Sequence, residues 1–171
     1  MRPAPIHGFT LVELMVALAL AAVLTATSVH GLGAWLTEQQ LRDRADALRH
    51  ALQLARSEAI KRGARVDVCP ATGACAGGPL PWEDGWIVVA DAARDAQPIL
   101  RERRAADGIT IRGNRPVADY VSYTSHGRAR RLDGALQMGT FTVCRRGLRA
   151  RKVVLASSGR TRVETTAETC P

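Results

Sequence analysis

Aromatic residues are scarce: three Trp, two Tyr and two Phe make up 4% of the 171 residues. A surface that reads single strands by stacking bases on rings would therefore have little to work with. No internal repeat, low-complexity block, phosphate loop or dinucleotide motif occurs. The four cysteines include no C-x-x-C pair and the four histidines are scattered, so a zinc site has no ligand spacing to start from. Ser125 beside His126 reads as part of a turn before Gly127, because a nucleophile–base pair needs converging geometry and an orienting acid. Glu83-Asp84, between Trp82 and Trp86, reads as an acidic loop. These absences argue against an enzyme, and no metal or other cofactor is expected. What is present, 46% hydrophobic and 23% charged residues, suits about one globular domain and excludes a disordered tail.

Acid is missing from one part of the chain. Residues 1–100 carry nine Lys/Arg against ten Asp/Glu, whereas residues 101–171 carry fifteen against six. Within 128–162 there are ten basic residues and one acid, Asp133. The net charge of +8 therefore lies in the C-terminal part, and a face this lopsided points to an anionic partner.

The N-terminus has the opposite character. Leu14–Leu24 is wholly apolar, and no charge intervenes between Glu13 and Glu38. A helix of about 20 such residues spans a hydrocarbon core. A secretory signal headed by Arg2 fits poorly, because the run is long and an acid opens it. A buried core helix fits poorly too, with eleven consecutive apolar residues so near the terminus. A carboxylate at the edge of a membrane helix is costly unless paired, which marks Glu13 as functional.

The boundary itself reads His7-Gly8-Phe9-Thr10-Leu11-Val12-Glu13. It resembles the processing site of type IV prepilins and type II secretion pseudopilins, with His7 where that family usually has Lys or Arg. The resemblance implies cleavage by prepilin peptidase between Gly8 and Phe9 and methylation of Phe9. It also implies that Glu13 offsets the N-terminal amine of a neighbouring subunit during assembly.

Beyond the apolar run, Leu41, Ala45, Leu48, Leu52, Ala55 and Ala59 recur at three- and four-residue spacing, one apolar helical stripe. Arg42, Asp43, Arg44, Asp46, Arg49, Arg56 and Glu58 are assigned to the solvated side. Gly63 after Lys61-Arg62 is the expected stop. One helix from Phe9 to Arg62 is expected, with a bend or local melting at Gly31 and Gly33. Strands are expected at 65–69, 86–90, 99–103, 109–112, 120–124, 140–144, 152–156 and 161–164, with Gly, Pro, Asn and Asp between them. The fold class is α+β: a long N-terminal helix, its first half spanning the membrane, packed on an antiparallel β head. The segments are a leader at 1–8, a transmembrane and polymerisation half at 9–37, an amphipathic half at 38–63 and the head at 64–171. Cys69, Cys75, Cys144 and Cys170 would oxidise on the periplasmic side. Three pairings are possible, and Cys69–Cys75 with Cys144–Cys170 is favoured.

Cys69, Cys75, the Trp82–Asp91 segment, Phe141–Cys144, Val153–Leu155, Gly159–Arg162 and Cys170 resemble the FimT/GspH group of minor pilins and pseudopilins. In that group a Gly-Arg-x-Arg element is associated with minor pilins that bind DNA in natural transformation; here it is Gly159-Arg160-Thr161-Arg162. In an extended strand Arg160 and Arg162 share a face, and guanidinium groups bind phosphate oxygens in bidentate fashion. Arg145, Arg146, Arg149, Arg151 and Lys152 lie in or beside the preceding hairpin, and Arg128, Arg130 and Arg131 in another loop. If these converge, about four to six phosphate contacts would give a log–log salt slope of about −4 to −5, on duplex and without sequence preference. The competing reading is a pseudopilin whose basic face meets an acidic neighbour in a tip complex. Both readings share the inner-membrane anchor, the periplasmic head and other pilins as partners.

Glu13→Ala is expected to leave membrane insertion intact and to stop incorporation into a fibre. Comparison of membrane and sheared-fibre fractions checks it; normal incorporation removes the pairing role.

Overall fold

A computed structural model describes residues 10–71, 75, 81–90, 98–102, 105, 106 and 108–171, excepting the side chains of 24–32. The processing site Gly8–Phe9 and the leader lie outside the described residues. The chain divides into two compact units, Met1–Glu38 and Gln39–Pro171.

α-Helical structure extends over Leu11–Arg62 (α1). Thr10 caps its start: the Glu13 N–H donates to Thr10 Oγ1 at 3.3 Å, and the Thr-x-x-Glu spacing is that of a capping box. Glu13 thus also sits where the positive end of the helix dipole favours an acid. Gly63, at φ 62°, follows the last residue as expected. The local melting expected at Gly31 and Gly33 does not occur: α1 is helical through both. A glycine costs about 1 kcal/mol in a helix interior, too little to break a ladder of 52 residues.

In the first unit Leu11, Val12, Leu14, Met15, Val16, Leu18, Leu20 and Val23 are all exposed, on every side of the helix. Among the described residues no helix is long and apolar enough to cross a membrane. The expected span over 9–37 includes Phe9 and the side chains of 24–32, outside the described set.

In the second unit the apolar stripe is the core. Leu41, Ala45, Leu48, Ala51, Leu52, Ala55 and Ala59 are all fully buried. Arg44 departs from its expected solvated position. It is 8% exposed, with its guanidinium 4.3 Å above the Trp86 ring and 3.1 Å from Glu102. Its position three residues after Leu41 and four before Leu48 puts it on the buried stripe, where stacking and the ion pair offset the desolvation that lowers its pKa.

The strands are β1 (Val66–Pro70), β2 (Trp86–Ala90), β3 (Leu100–Arg101), β4 (Ile109–Gly113), β5 (Val121–Tyr123), β6 (Gly139–Arg145), β7 (Arg149–Leu155) and β8 (Thr161–Thr169). Every expected strand window overlaps one, Trp86–Ala90 without change and the others with shifted ends. They form two four-stranded sheets, β3-β2-β1-β5 and β4-β6-β7-β8, and every pairing is antiparallel. This is the expected α+β architecture. Val66, Val68, Trp86, Val88, Val121 and Tyr123 enter the core from the first sheet, and Ile111, Phe141, Val143, Val153 and Leu155 from the second. Trp82 meets Phe141 edge to face at 4.8 Å, and its indole N–H donates to the Ala118 carbonyl at 2.7 Å. Both favoured disulfides are present, Cys69–Cys75 and Cys144–Cys170, with Cα separations of 5.2 and 5.6 Å.

Glu83 clasps β4 from the short turn before β2. Its carboxylate accepts from the Arg112 guanidinium and from the Ile111 N–H at 3.3 Å. Burial alone would raise its pKa, but these donors hold it below the usual carboxylate value. With the folded pKa below the unfolded one, the clasp stabilises at neutral pH and is lost as pH falls through the carboxylate range. Glu83→Gln is expected to lower stability by about 1–2 kcal/mol at pH 7 and to flatten this acid dependence, in thermal melts from pH 7 down to 3.

Candidate functional site

The basic residues singled out in the sequence fall into separate places. The turn between β6 and β7 carries Arg146, flanked by Arg145 and Arg149, and the turn between β7 and β8 carries Gly159 and Arg160. Seven residues of β7 separate these turns, about 20 Å of strand. Each turn has its own place along α1. Arg145 donates to Gln40 Oε1 at 3.0 Å, whereas Gly159 at the other end lies against Gly127, which in turn lies against Arg56 and Ile60. Gln40 and Arg56 are about 24 Å apart at 1.5 Å per residue. The expected convergence into one patch does not occur.

Strand alternation divides the rest. Lys152 and Arg162 sit on the solvent face of the second sheet with Arg112, in register through Lys152↔Glu164 and Arg112↔Thr142. Arg151 falls between Lys152 and a buried Ala150, on the face that carries Val153. The cations on the solvent face are neutralised. Arg162 pairs with Glu164 at 2.5 Å, Lys152 with Glu168 at 3.1 Å, and Arg112 with Glu83. In a neighbouring loop Arg131 pairs with Asp133 at 3.5 Å. Among the described residues Arg56, Arg128, Arg130 and Arg160 have no carboxylate partner.

Those four belong to one end of the head. Gly127 and Gly159 both adopt positive φ, 68° and 81°, and they touch. A Cβ on Gly159 would stand 2.1 Å from the Gly127 carbonyl oxygen, and one on Gly127 would stand 2.7 Å from Ile60 Cδ1. Arg128 and Arg160 are the residues that follow the two touching glycines. The Arg56 Nε–H donates to the Gly127 carbonyl at 3.0 Å, tying α1 to the same contact. Tyr123 packs against Gly159; burial pushes its phenol pKa up against the opposing effect of Arg56. Arg160 and Arg162 are both exposed, as their i, i+2 spacing predicts. Arg56, assigned above to the solvated side of the helix without a role, is a member of this cluster that its sequence context does not single out.

Of the remaining expected sites, Glu13 lies in the first turn of α1. Ser125 Oγ is 3.3 Å from His126 Nδ1 on a surface turn. The four cysteines are all in disulfides, which leaves no thiolate for a metal.

A long N-terminal helix on an antiparallel β head is the architecture of type IV pilins. The family described as type II transport protein GspH matches residues 44–159, and the prokaryotic N-terminal methylation motif matches residues 5–29. The chain belongs to the GspH family of minor pilins and pseudopilins, and it carries that motif. Two crystal structures of the Pseudomonas aeruginosa type IV minor pilin FimU share the fold at 19% identity. One covers 80% of this chain and 99% of its own with a TM-score of 0.62. The other covers 76% and 99% with a TM-score of 0.57. No curated protein matches the chain.

Gly159→Ala meets both a left-handed backbone and a carbonyl oxygen inside contact distance. It is expected to cost about 2–4 kcal/mol, read as a lower Tm and a lower urea midpoint. Unchanged stability would mean that the two turns separate freely.

Proposed function

We propose that this protein is a minor type IV pilin whose head captures duplex DNA, without sequence preference, for uptake in natural transformation. The observation that carries the reading is the grouping of Arg56, Arg128, Arg130 and Arg160, none with a carboxylate partner among the described residues, around the Gly127–Gly159 contact. Cations that no protein acid compensates are free to displace counterions from phosphates. Arg145, Arg146 and Arg149 also have no carboxylate partner among the described residues, but they lie at the opposite end of β7, where Arg145 donates to Gln40.

In this reading prepilin peptidase cuts between Gly8 and Phe9. Residues 9–37 hold the chain in the inner membrane as a single span, with the head in the periplasm. The eight large apolar side chains exposed between Leu11 and Val23 then find lipid, and later the helices of other pilins in the fibre. The role is structural and adhesive; the protein catalyses no reaction.

A second reading, a minor pseudopilin of type II secretion, is favoured by the match to the GspH transport family. There the same arginines meet an acidic protein neighbour, and binding to free DNA is not expected.

Titration of a random-sequence duplex by fluorescence anisotropy, at several salt concentrations, separates the two. About four phosphate contacts give a log–log salt slope of about −3 to −4. Arg160→Gln is expected to weaken binding about tenfold, whereas Arg162→Gln, whose partner is Glu164, changes it less than threefold. Arg146→Gln with Arg149→Gln leaves it unchanged. No binding at low salt moves the assignment to the pseudopilin.

A further inference from the structure

The unpaired arginines do not simply coat a surface. A cleft of about 630 Å³ opens beside the glycine contact, lined by Arg56, Thr124, His126, Arg128, Arg130 and Ser158. Three segments build it: the end of α1, the loop after β5, and the turn between β7 and β8. We propose that this cleft is a phosphate seat, a concave site that takes one phosphate oxyanion. Its assignment to nucleic acid rests on the DNA reading above; its oxyanion chemistry does not.

The chemistry of the lining is that of an anion site. Three guanidinium groups supply forked donors matched to phosphate oxygens, and the Ser158 hydroxyl and the His126 imidazole supply smaller ones. Arg56 and Arg130 are pre-oriented. Arg56 Nε is committed to the Gly127 carbonyl at 3.0 Å, and Arg130 Nη1 to the Gly134 carbonyl at 3.2 Å. Each keeps further N–H groups beyond its tether, so less side-chain freedom is lost when an anion arrives. The Thr124 hydroxyl is likewise held, 3.3 Å from the Arg128 carbonyl. The acid on the adjoining helix turn does not compete. Glu58 is engaged by Arg62 at 2.7 Å and by Lys61 at 3.6 Å. The lining contains no aspartate or glutamate, so the positive potential of three close guanidiniums is left for a ligand.

The seat also gives the glycine pair a purpose. Only with Gly127 and Gly159 in backbone contact does Ser158 reach the loop that carries Arg128 and Arg130. The residue after Ser158 and Gly159 is Arg160, so a backbone phosphate in the cleft places the next one along the strand within range of that side chain.

The test uses the full chain in detergent micelles and two probes. Inorganic phosphate is titrated by calorimetry, and a short duplex by anisotropy, with 5′-phosphate or 5′-hydroxyl ends. The wild type is expected to bind phosphate. Arg128→Gln with Arg130→Gln should lose that binding, weaken the duplex at least tenfold, and make its salt slope shallower by about 2. Ser158→Glu, at an exposed turn position, puts a carboxylate in the cleft and should have the same effect without touching an arginine. Equal phosphate affinity in the wild type and both variants overturns the seat, whatever the duplex does. Phosphate binding that both variants lose, in a wild type that ignores duplex, upholds the seat and removes the DNA reading. Equal affinity for the two duplexes assigns the seat to an internal phosphodiester, and preference for the phosphorylated end to a terminal phosphate.

Discussion

Two turns from distant parts of a chain come this close where the facing position lacks a Cβ, since a Cβ at Gly159 would overlap the Gly127 carbonyl oxygen. The contact of Gly127 with Gly159 is such a place, and the end of the head is organised around it. It brings the loop after β5, which belongs to the first sheet, against the turn between β7 and β8 of the second. The Arg56 hydrogen bond then adds the helix. Three elements that share no strand pairing are fixed to one another through two residues without Cβ atoms. The basic side chains that follow each glycine inherit their spacing from it.

Charge compensation sorts the remaining cations by use. On the solvent face of the second sheet every strand cation described has an acid at hand: Glu83 for Arg112, Glu168 for Lys152 and Glu164 for Arg162. Such exposed pairs add little stability individually, but they cancel the long-range field of that face. The field that survives comes from the two ends of the sheet. One end has a cleft lined by three guanidiniums, and at the other Arg145 is engaged by Gln40. A net charge of +8 is thus a poor guide to where an anion would settle; the distribution of partners is a better one.

Much of the fold was legible in the sequence, because periodicity and turn residues are local signals. Of three possible disulfide pairings the favoured one is present, and the stripe from Leu41 to Ala59, the strands and the helix stop at Gly63 follow from local pattern. Arg44 did not, because a charge masked its position on the buried stripe, and Gln137 carried no signal at all. Gln137 is fully buried, where its amide accepts from the Ser122 N–H at 2.9 Å and donates to the Tyr120 and Pro116 carbonyls at 2.7 and 2.9 Å. The site was half legible. Gly159-Arg160 stood out, yet Arg145–Arg149 were grouped with it although a hairpin strand lies between them. The meeting of Gly127 with Gly159, and of both with Arg56, depends on how the two sheets pack. Nothing in the local pattern encodes that.

The Cys144–Cys170 bond has a mechanical meaning. It joins the end of β6 to the residue just after β8, 26 positions on, and the ring so closed contains β7, β8 and the Gly159–Arg160 turn. β8 is an edge strand with one partner among the described residues, the kind of strand that peels first when pulled. A tug on that turn enters a covalent loop, so β8 cannot be stripped from its Cys170 end one hydrogen bond at a time. The load passes instead along both arms into β6, inside the sheet.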